Sequence, residues 1–389
     1  MPKSVERFAE ERLRELEGAG LLREPEDGGR RRAAELAAEA LGVPFVDASS
    51  NDYLGLAALG VSRETDVQGS PLGAGASRLI HGSRDAHVKL EVALADWVRL
   101  PTALLTTSGY AANVGLMGAL GRTGTVIISD RLNHASIIDG CRLSRAEVVV
   151  TPHLKVAPVE AALHAAANAA ARWVVVESCF SMDGDGPDLR TLRALCDHHR
   201  AGLIVDEAHA LGVFGPEGSG RCAEAGVTPD VLVGTLGKAV GSQGAFVAGS
   251  ARLRTLLWND ARSFVFSTAP SPLLSAWTLF HVERAKGAND QRATLFARAR
   301  ALRDSLATHG VTVEPGLGGA IVPVLVGDNR RVLSVVAELE RSGILAQGIR
   351  PPTVPAGTAR LRLTATASWS ADVPSRVADA IARALQNAG

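Results

Sequence analysis

The chain carries no net charge, because 41 Lys and Arg residues balance 41 Asp and Glu residues over 389 positions. No basic excess offers itself to nucleic acid or to an anionic membrane, so a small-molecule ligand is expected instead. Its four cysteines, Cys141, Cys179, Cys196 and Cys222, are widely spaced and form no C-x-x-C pair, a usage that suits reduced thiols in a cytoplasmic protein. Cys196 lies near His198 and His199, yet no second ligand pair stands at zinc spacing, and no metal site is expected. Gly73-Ala74-Gly75-Ala76-Ser77-Arg78 is glycine-rich without being G-x-G-x-x-G, which excludes a dinucleotide fingerprint. Long apolar runs are missing too: the Ala-rich stretch Val159 to Ala171 is interrupted by Glu160, His164 and Asn168 and is too short to span a bilayer. Residues Met1 to Arg7 are charged and lack an apolar segment, so no secretory leader is expected.

What is present is a regular alternation of strand and helix patterns. Leu104 to Thr106, Val126 to Ser129, Val148 to Val150, Trp173 to Val176 and Leu203 to Val205 are short apolar runs read as strands. Tyr110 to Leu120, Ala135 to Leu143, Val159 to Ala171 and Leu189 to His198 are the helices between them. Such spacing predicts right-handed crossovers and a mainly parallel sheet covered on both faces, an α/β fold. After Lys286 the pattern changes to a long helix from Gln291 to Ala307, a strand Ile321 to Val326, helices Val332 to Arg341 and Val373 to Leu385, and extended segments near Ile344 and Leu361. Three parts are therefore expected: a helical arm over 1–45, a large domain over 46–286 and a smaller α+β domain over 287–389. The arm's run Arg30-Arg31-Arg32 reads as a solvated face.

The most informative stretch is Gly202 to Lys238. It opens with the apolar run Leu203-Ile204-Val205, continues Asp206-Glu207-Ala208-His209, and closes with Thr235-Leu236-Gly237-Lys238. Two buried strands would thus deliver polar residues at their carboxyl ends, where open α/β sheets bind ligands. A carboxylate, a histidine and a lysine together suit pyridoxal phosphate (PLP), with the lysine as covalent anchor and the carboxylate keeping the pyridine nitrogen protonated. Upstream, the turn Thr107-Ser108-Gly109-Tyr110 joins a strand to a helix, and a helix N-terminus there is a ready phosphate site. Taken singly these residues have ordinary uses, since a lysine after a strand is usually surface and an Asp there usually caps a turn.

Together the motifs resemble the α-oxoamine synthases, fold-type-I PLP enzymes that condense an amino acid with an acyl thioester. The resemblance runs from about Asn51 to Thr366 and keeps the family order of segments. It implies that Lys238 anchors the cofactor, Asp206 pairs with the pyridine nitrogen, His209 contacts the phenolic oxygen and His134 stacks on the ring. Ser108, Gly109, Tyr110 and Thr235 would hold the phosphate, and Ser181, in Glu177 to Gly184, would add a hydrogen bond. Ser267 and Thr268, within Phe266-Ser267-Thr268-Ala269-Pro270, match a loop that reaches the neighbouring subunit's phosphate, which implies a homodimer. Substrate contacts would fall to Arg23, Asn51, Arg350, Thr353 and Arg362, the last through a bidentate grip on the amino-acid carboxylate. His81 stands where relatives often have Ser or Cys. Gly244 to Gly249 would be a closing antiparallel strand.

Asp-Glu-Ala-His is also the acidic box of some helicases, but Gly237-Lys238 lacks the first glycine and the Ser or Thr of a phosphate loop and comes after the box. A catalytically silent subunit of the same fold would have lost the anchoring lysine. Within the family, enzymes using glycine with acetyl, glycine with succinyl or serine with palmitoyl thioesters share the PLP residues. The segment Ile349 to Thr364 resembles the branch that joins L-alanine to a pimeloyl thioester, carried by coenzyme A or by an acyl carrier protein, in biotin synthesis.

Overall fold

The computed structural model describes residues 4–23, 28–59, 69–314 and 316–388. It divides into two units, one comprising Asn51–Ser181 with Asp185–Thr294, the other Met1–Ser50, Met182–Gly184 and Leu295–Gly389. The strands in chain order are β1 (Val46–Asp47), β2 (Thr102–Thr106), β3 (Thr125–Asp130), β4 (Glu147–Thr151), β5 (Ala171–Glu177), β6 (Gly202–Asp206), β7 (Val231–Thr235) and β8 (Ala245–Gly249), then β9 (Ile321–Gly327), β10 (Ile344–Leu345), β11 (Gln347–Ile349) and β12 (Ala359–Thr364).

The first unit is built on a seven-stranded sheet of order β2-β8-β7-β6-β5-β3-β4. Only β8 runs against the others, pairing antiparallel with both β2 and β7. It sits between them and leaves β2 and β4 as the edges. Strand alternation then sorts side chains into two cores. Ile127, Val175 and Ile204 face the helices Gly109–Leu120 and Ala135–Leu143, where Ala112, Leu116, Met117, Ile137 and Cys141 meet them. Val126, Ile128, Val174, Val176, Leu203 and Val205 face the opposite way, onto Leu163, Leu189, Leu192 and Cys196 of Val156–Ala165 and Leu189–His198. Each fully buried Leu, Ile or Met contributes about 1.5–3 kcal/mol, so the two layers pin every strand's register. The helix expected over Val159 to Ala171 starts earlier and ends at Ala165, because Ala171 onward is taken by β5, whose register with β3 buries Val174 and Val176.

The second unit holds a three-stranded antiparallel sheet of order β11-β12-β9 and the parallel pair β1–β10. Helix Asn329–Arg341 buries Val332, Val335, Val336 and Leu339, and Val373–Asn387 buries Val377, Ile381 and Ala384. The expected arm and the C-terminal segment belong to this one unit, with residues 1–3 and 24–27 of the arm outside the described set. The reason is local: β1 pairs with β10, Arg30 donates to the carbonyl of Ala346 at 3.0 Å, and Gly343 lets the chain pass against Ala38 of helix Gly29–Leu41. The four cysteines are buried and unbonded to one another, and burial holds the Cys141 thiol up at about 11 and that of Cys196 at about 12, which makes them unreactive packing residues. No described helix is long and apolar enough to cross a membrane.

Candidate functional site

The carboxyl ends of the parallel strands gather the polar residues. Register places Glu177 of β5 beside Asp206 of β6, and sets Thr106 of β2 and Thr235 of β7 on either side of Ala245. Two strand spacings separate the last pair, roughly 10 Å. The turn after β2 and the turn after β7 therefore open at the same end of the sheet.

Asp206 has the same strand parity as Ile204, so it faces helix Gly109–Leu120. Asn113 of that helix donates from Nδ2 to Asp206 Oδ2 at 2.8 Å and to Ser136 Oγ at 3.0 Å. Ser136 in turn lies 2.7 Å from His134 Nδ1. The Ala208 N–H holds the other oxygen, Asp206 Oδ1, at 2.8 Å. A buried carboxylate supported in this way is held in orientation. His134 N-caps helix Ala135–Leu143. Desolvation lowers its imidazole's proton affinity, Asp206 raises it and Lys238 lowers it, with a net fall below the usual value.

A second chain of contacts starts at Lys238, whose Nζ lies 2.7 Å from His209 Nε2. His209 Nδ1 lies 2.6 Å from the hydroxyl of Tyr53, and that hydroxyl lies 3.2 Å from Asn51 Oδ1. The neighbouring Glu207 is fully buried and accepts from Ser178 Oγ at 2.6 Å, Cys222 N at 2.6 Å and Arg221 N at 3.0 Å. That carboxylate ties the stretch Asp206 to His209 to two further segments. Gly220 has to be glycine here, as a Cβ would sit 2.9 Å from the Glu207 carboxylate at a φ of +103°.

Ser108 caps helix Gly109–Leu120 by accepting from Ala111 N at 3.1 Å. Its exposed hydroxyl and the free N–H groups of the first turn form an anion cradle. Tyr110 is half exposed and donates to Asp139 at 2.6 Å. Thr235 Oγ1 lies 3.3 Å from the carbonyl of Gly244 and accepts from Gly237 N at 3.5 Å, which leaves the hydroxyl at the strand end beside the lysine turn. Ser181 is half-buried after β5.

The structure thus brings Lys238, His209, Asp206, His134 and Asn51 into two hydrogen-bonded chains within one unit. Ser267 and Thr268 stand apart from them on a loop paired with the glycine-rich segment, through a bridge between Ser77 and Thr268 and a bond from Ala269 N to Ala76 O at 3.0 Å. His81 is exposed on the short helix Arg78–Gly82. Arg23, Arg350, Thr353 and Arg362 belong to the other unit. There Arg350 is buried and donates to the Gly20 carbonyl at 2.7 Å, while burial and the charges of Arg23 and Arg30 lower its proton affinity. Arg362 is buried on β12 with Nη1 3.2 Å from Thr364 Oγ1, and Thr353 is exposed. Tyr53, Asn113, Ser136 and Glu177 were not singled out from the sequence. Asn113 alone carries a signal there, as an amide within an otherwise apolar helix.

Residues 43–381 match the family model for aminotransferase class I and II. The chain belongs to that family. It is 43% identical over 364 residues to the 8-amino-7-oxononanoate synthase of Anaeromyxobacter dehalogenans, covering 92% of this chain and 90% of the relative. Against the 8-amino-7-oxononanoate synthase of Paracidovorax citrulli it is 41% identical, with coverage of 95% and 92%. Among solved structures it resembles serine palmitoyltransferase from S. paucimobilis with PLP and myriocin bound, at a TM-score of 0.82 and 29% identity, covering 89% of this chain and 88% of that one. Fold-type-I architecture and dependence on PLP follow for this chain.

Proposed function

We propose that this chain is an 8-amino-7-oxononanoate synthase, which joins L-alanine to a pimeloyl thioester with loss of carbon dioxide. The observation that carries the reading is the placing of Lys238, His209 and the Asn113-supported Asp206 at one end of the sheet, in a chain more than 40% identical to synthases of that name. The donor set fits PLP. It offers an amine for the aldehyde, a buried carboxylate for the pyridine nitrogen, and a capped helix start with Thr235 for the phosphate. Once bound there, PLP supplies an electron-withdrawing ring that makes the substrate Cα acidic.

The chain's own residues do the rest. Lys238 Nζ is the base that receives the Cα proton, and His209 Nε2 orients that amine. Asp206, fixed by Asn113 and the Ala208 N–H, would pair with the ring nitrogen. His134 would cover one face of the ring. Arg362 would take the amino-acid carboxylate and Asn51 would contact the amino acid, while Arg23, Arg350 and Thr353 would serve the acyl substrate. A panel of acyl thioesters with L-alanine, glycine and serine tests the assignment. Pimeloyl thioester with L-alanine should give the highest kcat/KM, and a preference for acetyl thioester with glycine, or for palmitoyl thioester with serine, overturns it.

The active form is proposed to be a homodimer in the cytoplasm. Supporting it are three strongly exposed apolar side chains, Leu72, Ile80 and Phe266 at 77%, 75% and 72%, on the two segments joined by the Ser77–Thr268 bridge. Such patches mark association surfaces. Sedimentation of the wild type as an active monomer would count against it.

A further inference from the structure

Tyr53 is one of two tyrosines in the chain and is fully buried. Burial of a phenol requires a hydrogen-bond partner for its hydroxyl, and the partner at 2.6 Å is His209 Nδ1, on the far side of the imidazole from Lys238. We propose that Tyr53 is a positioning residue that lets His209 serve Lys238 in both protonation states of the free lysine amine. This rests on the PLP-dependent function proposed above.

The chemistry follows from counting protons. A tyrosine hydroxyl has one proton to give, and here two acceptors lie within reach, Asn51 Oδ1 at 3.2 Å and His209 Nδ1 at 2.6 Å. With the proton turned toward Asn51, the phenol oxygen accepts from Nδ1–H, and Nε2 is then a lone pair facing an ammonium at Lys238. With the proton turned toward Nδ1, the other tautomer results, and Nε2–H donates to a neutral amine. The two arrangements differ by one proton on Lys238. No heavy atom has to move between them, and the Tyr53–His209 and His209–Lys238 bonds are kept in each, while the bond to Asn51 Oδ1 is made only in the first. A base that alternates between amine and ammonium during turnover needs such a neighbour.

Rigidity is built in around this chain. The Asp52 carboxylate accepts from Leu56 N at 2.9 Å and Ala57 N at 3.0 Å, closing the turn that carries Tyr53. Gly241, whose N–H bonds to the Lys238 carbonyl at 2.8 Å, packs on the same turn so closely that a Cβ would lie 2.4 Å from Ala57 N. The turn of Tyr53 and the turn of Lys238 are therefore one packed body. Other titratable groups lie within electrostatic reach of the lysine: Glu177 at the end of β5 and His134 at a helix start, both of which also feel Asp206. Next to the tyrosine turn, Asp52 feels the charge of His281. Tyr53 touches the imidazole nitrogen opposite Lys238.

The test compares wild type with Tyr53→Phe, both full-length and loaded with PLP. Uptake of PLP is followed by its absorbance, and the spectrum is titrated with pH. Tyr53→Phe should take up PLP like the wild type, shift the pH midpoint of the spectral change by about half a unit or more, and lower kcat about tenfold or more with little change in KM for L-alanine. An unchanged midpoint with unchanged kcat overturns the proposal. His209→Asn and the double variant give a second arm. If Tyr53 acts through His209, the double variant should be no slower than His209→Asn alone, and additive losses overturn the idea. Failure of the wild type to take up PLP would instead sink the functional assignment.

Discussion

Glu177 and Asp206 are register partners at the carboxyl ends of β5 and β6. Equal parity in a parallel pair sends both side chains to the same face of the sheet. Glu177 is buried, and its Oε1 has no hydrogen-bond partner. Burial first and then the charge of Asp206 push its carboxyl well above the ordinary value of 4.5, against the opposing effects of Lys238 and of the His134 N–H. The site floor therefore contains one carboxylate backed by Asn113 and one carboxyl that holds its proton.

Replacing Glu177 by Gln should mimic the protonated acid. A raised pKa means stability that is full below the unfolded value and lost as pH rises through the folded one. Thermal unfolding of Glu177→Gln should accordingly show a gain in Tm over wild type that is larger at pH 8 than at pH 5. A gain of equal size at both would show that Glu177 does not titrate in that range.

The pH dependence has a second source in His153, bonded through Nδ1 to Asp130 at 2.9 Å and through Nε2 to Asp185 at 3.0 Å. Burial works to lower its pKa, but these two carboxylates prevail and hold it at about 9, up from 6.5. The difference corresponds to about 3 kcal/mol of stability, at 1.36 kcal/mol per unit. It should be fully present below about pH 6.5 and lost as pH rises through about 9. His153→Gln should remove it, lowering Tm at pH 6 and leaving a smaller difference from wild type at pH 10, as read by calorimetry.

Lys238→Ala should abolish turnover and the absorbance band of lysine-bound PLP. Retention of a lysine-linked chromophore in that variant would assign the anchor to another residue. Asn113→Ala should keep the band, and weaken PLP binding by an amount near 1–3 kcal/mol, the cost of removing one partner from a buried charge. Fluorescence titration of the apoprotein measures both.

Gly241→Ala should be disproportionately harmful for a surface-turn change. Its φ of +68° disfavours a side chain, and the new methyl would meet backbone of Leu56 and Ala57, which cannot swing away. A stability loss of roughly 1–3 kcal/mol is expected. Because the displaced turn carries Tyr53, kcat should fall together with stability. Loss of stability with unaltered kcat would show that the two turns move independently.

The sequence by itself determined most of the strand ends and helix spans of the larger unit. Leu203 to Val205 and Val231 to Val233 are short apolar runs that end abruptly in polar residues, and such runs are legible because burial on both faces leaves no alternation to misread. Lys238, His209 and Asp206 could be named for the same reason, Asp206 closing a strand and the other two each lying three residues past a strand end. Tertiary structure alone decided which neighbours complete them. Asn113 reaches Asp206 across 93 positions and Tyr53 reaches His209 across 156, and no local pattern encodes a partner at that separation. Likewise β8 reads as a strand from its own residues, but its insertion between β2 and β7 depends on which strands pair with it. The grouping of residues 1–50 with the C-terminal segment has the same origin. A two-residue strand such as Val46–Asp47 has no period to detect, and only its pairing with Ile344–Leu345 gives it a place.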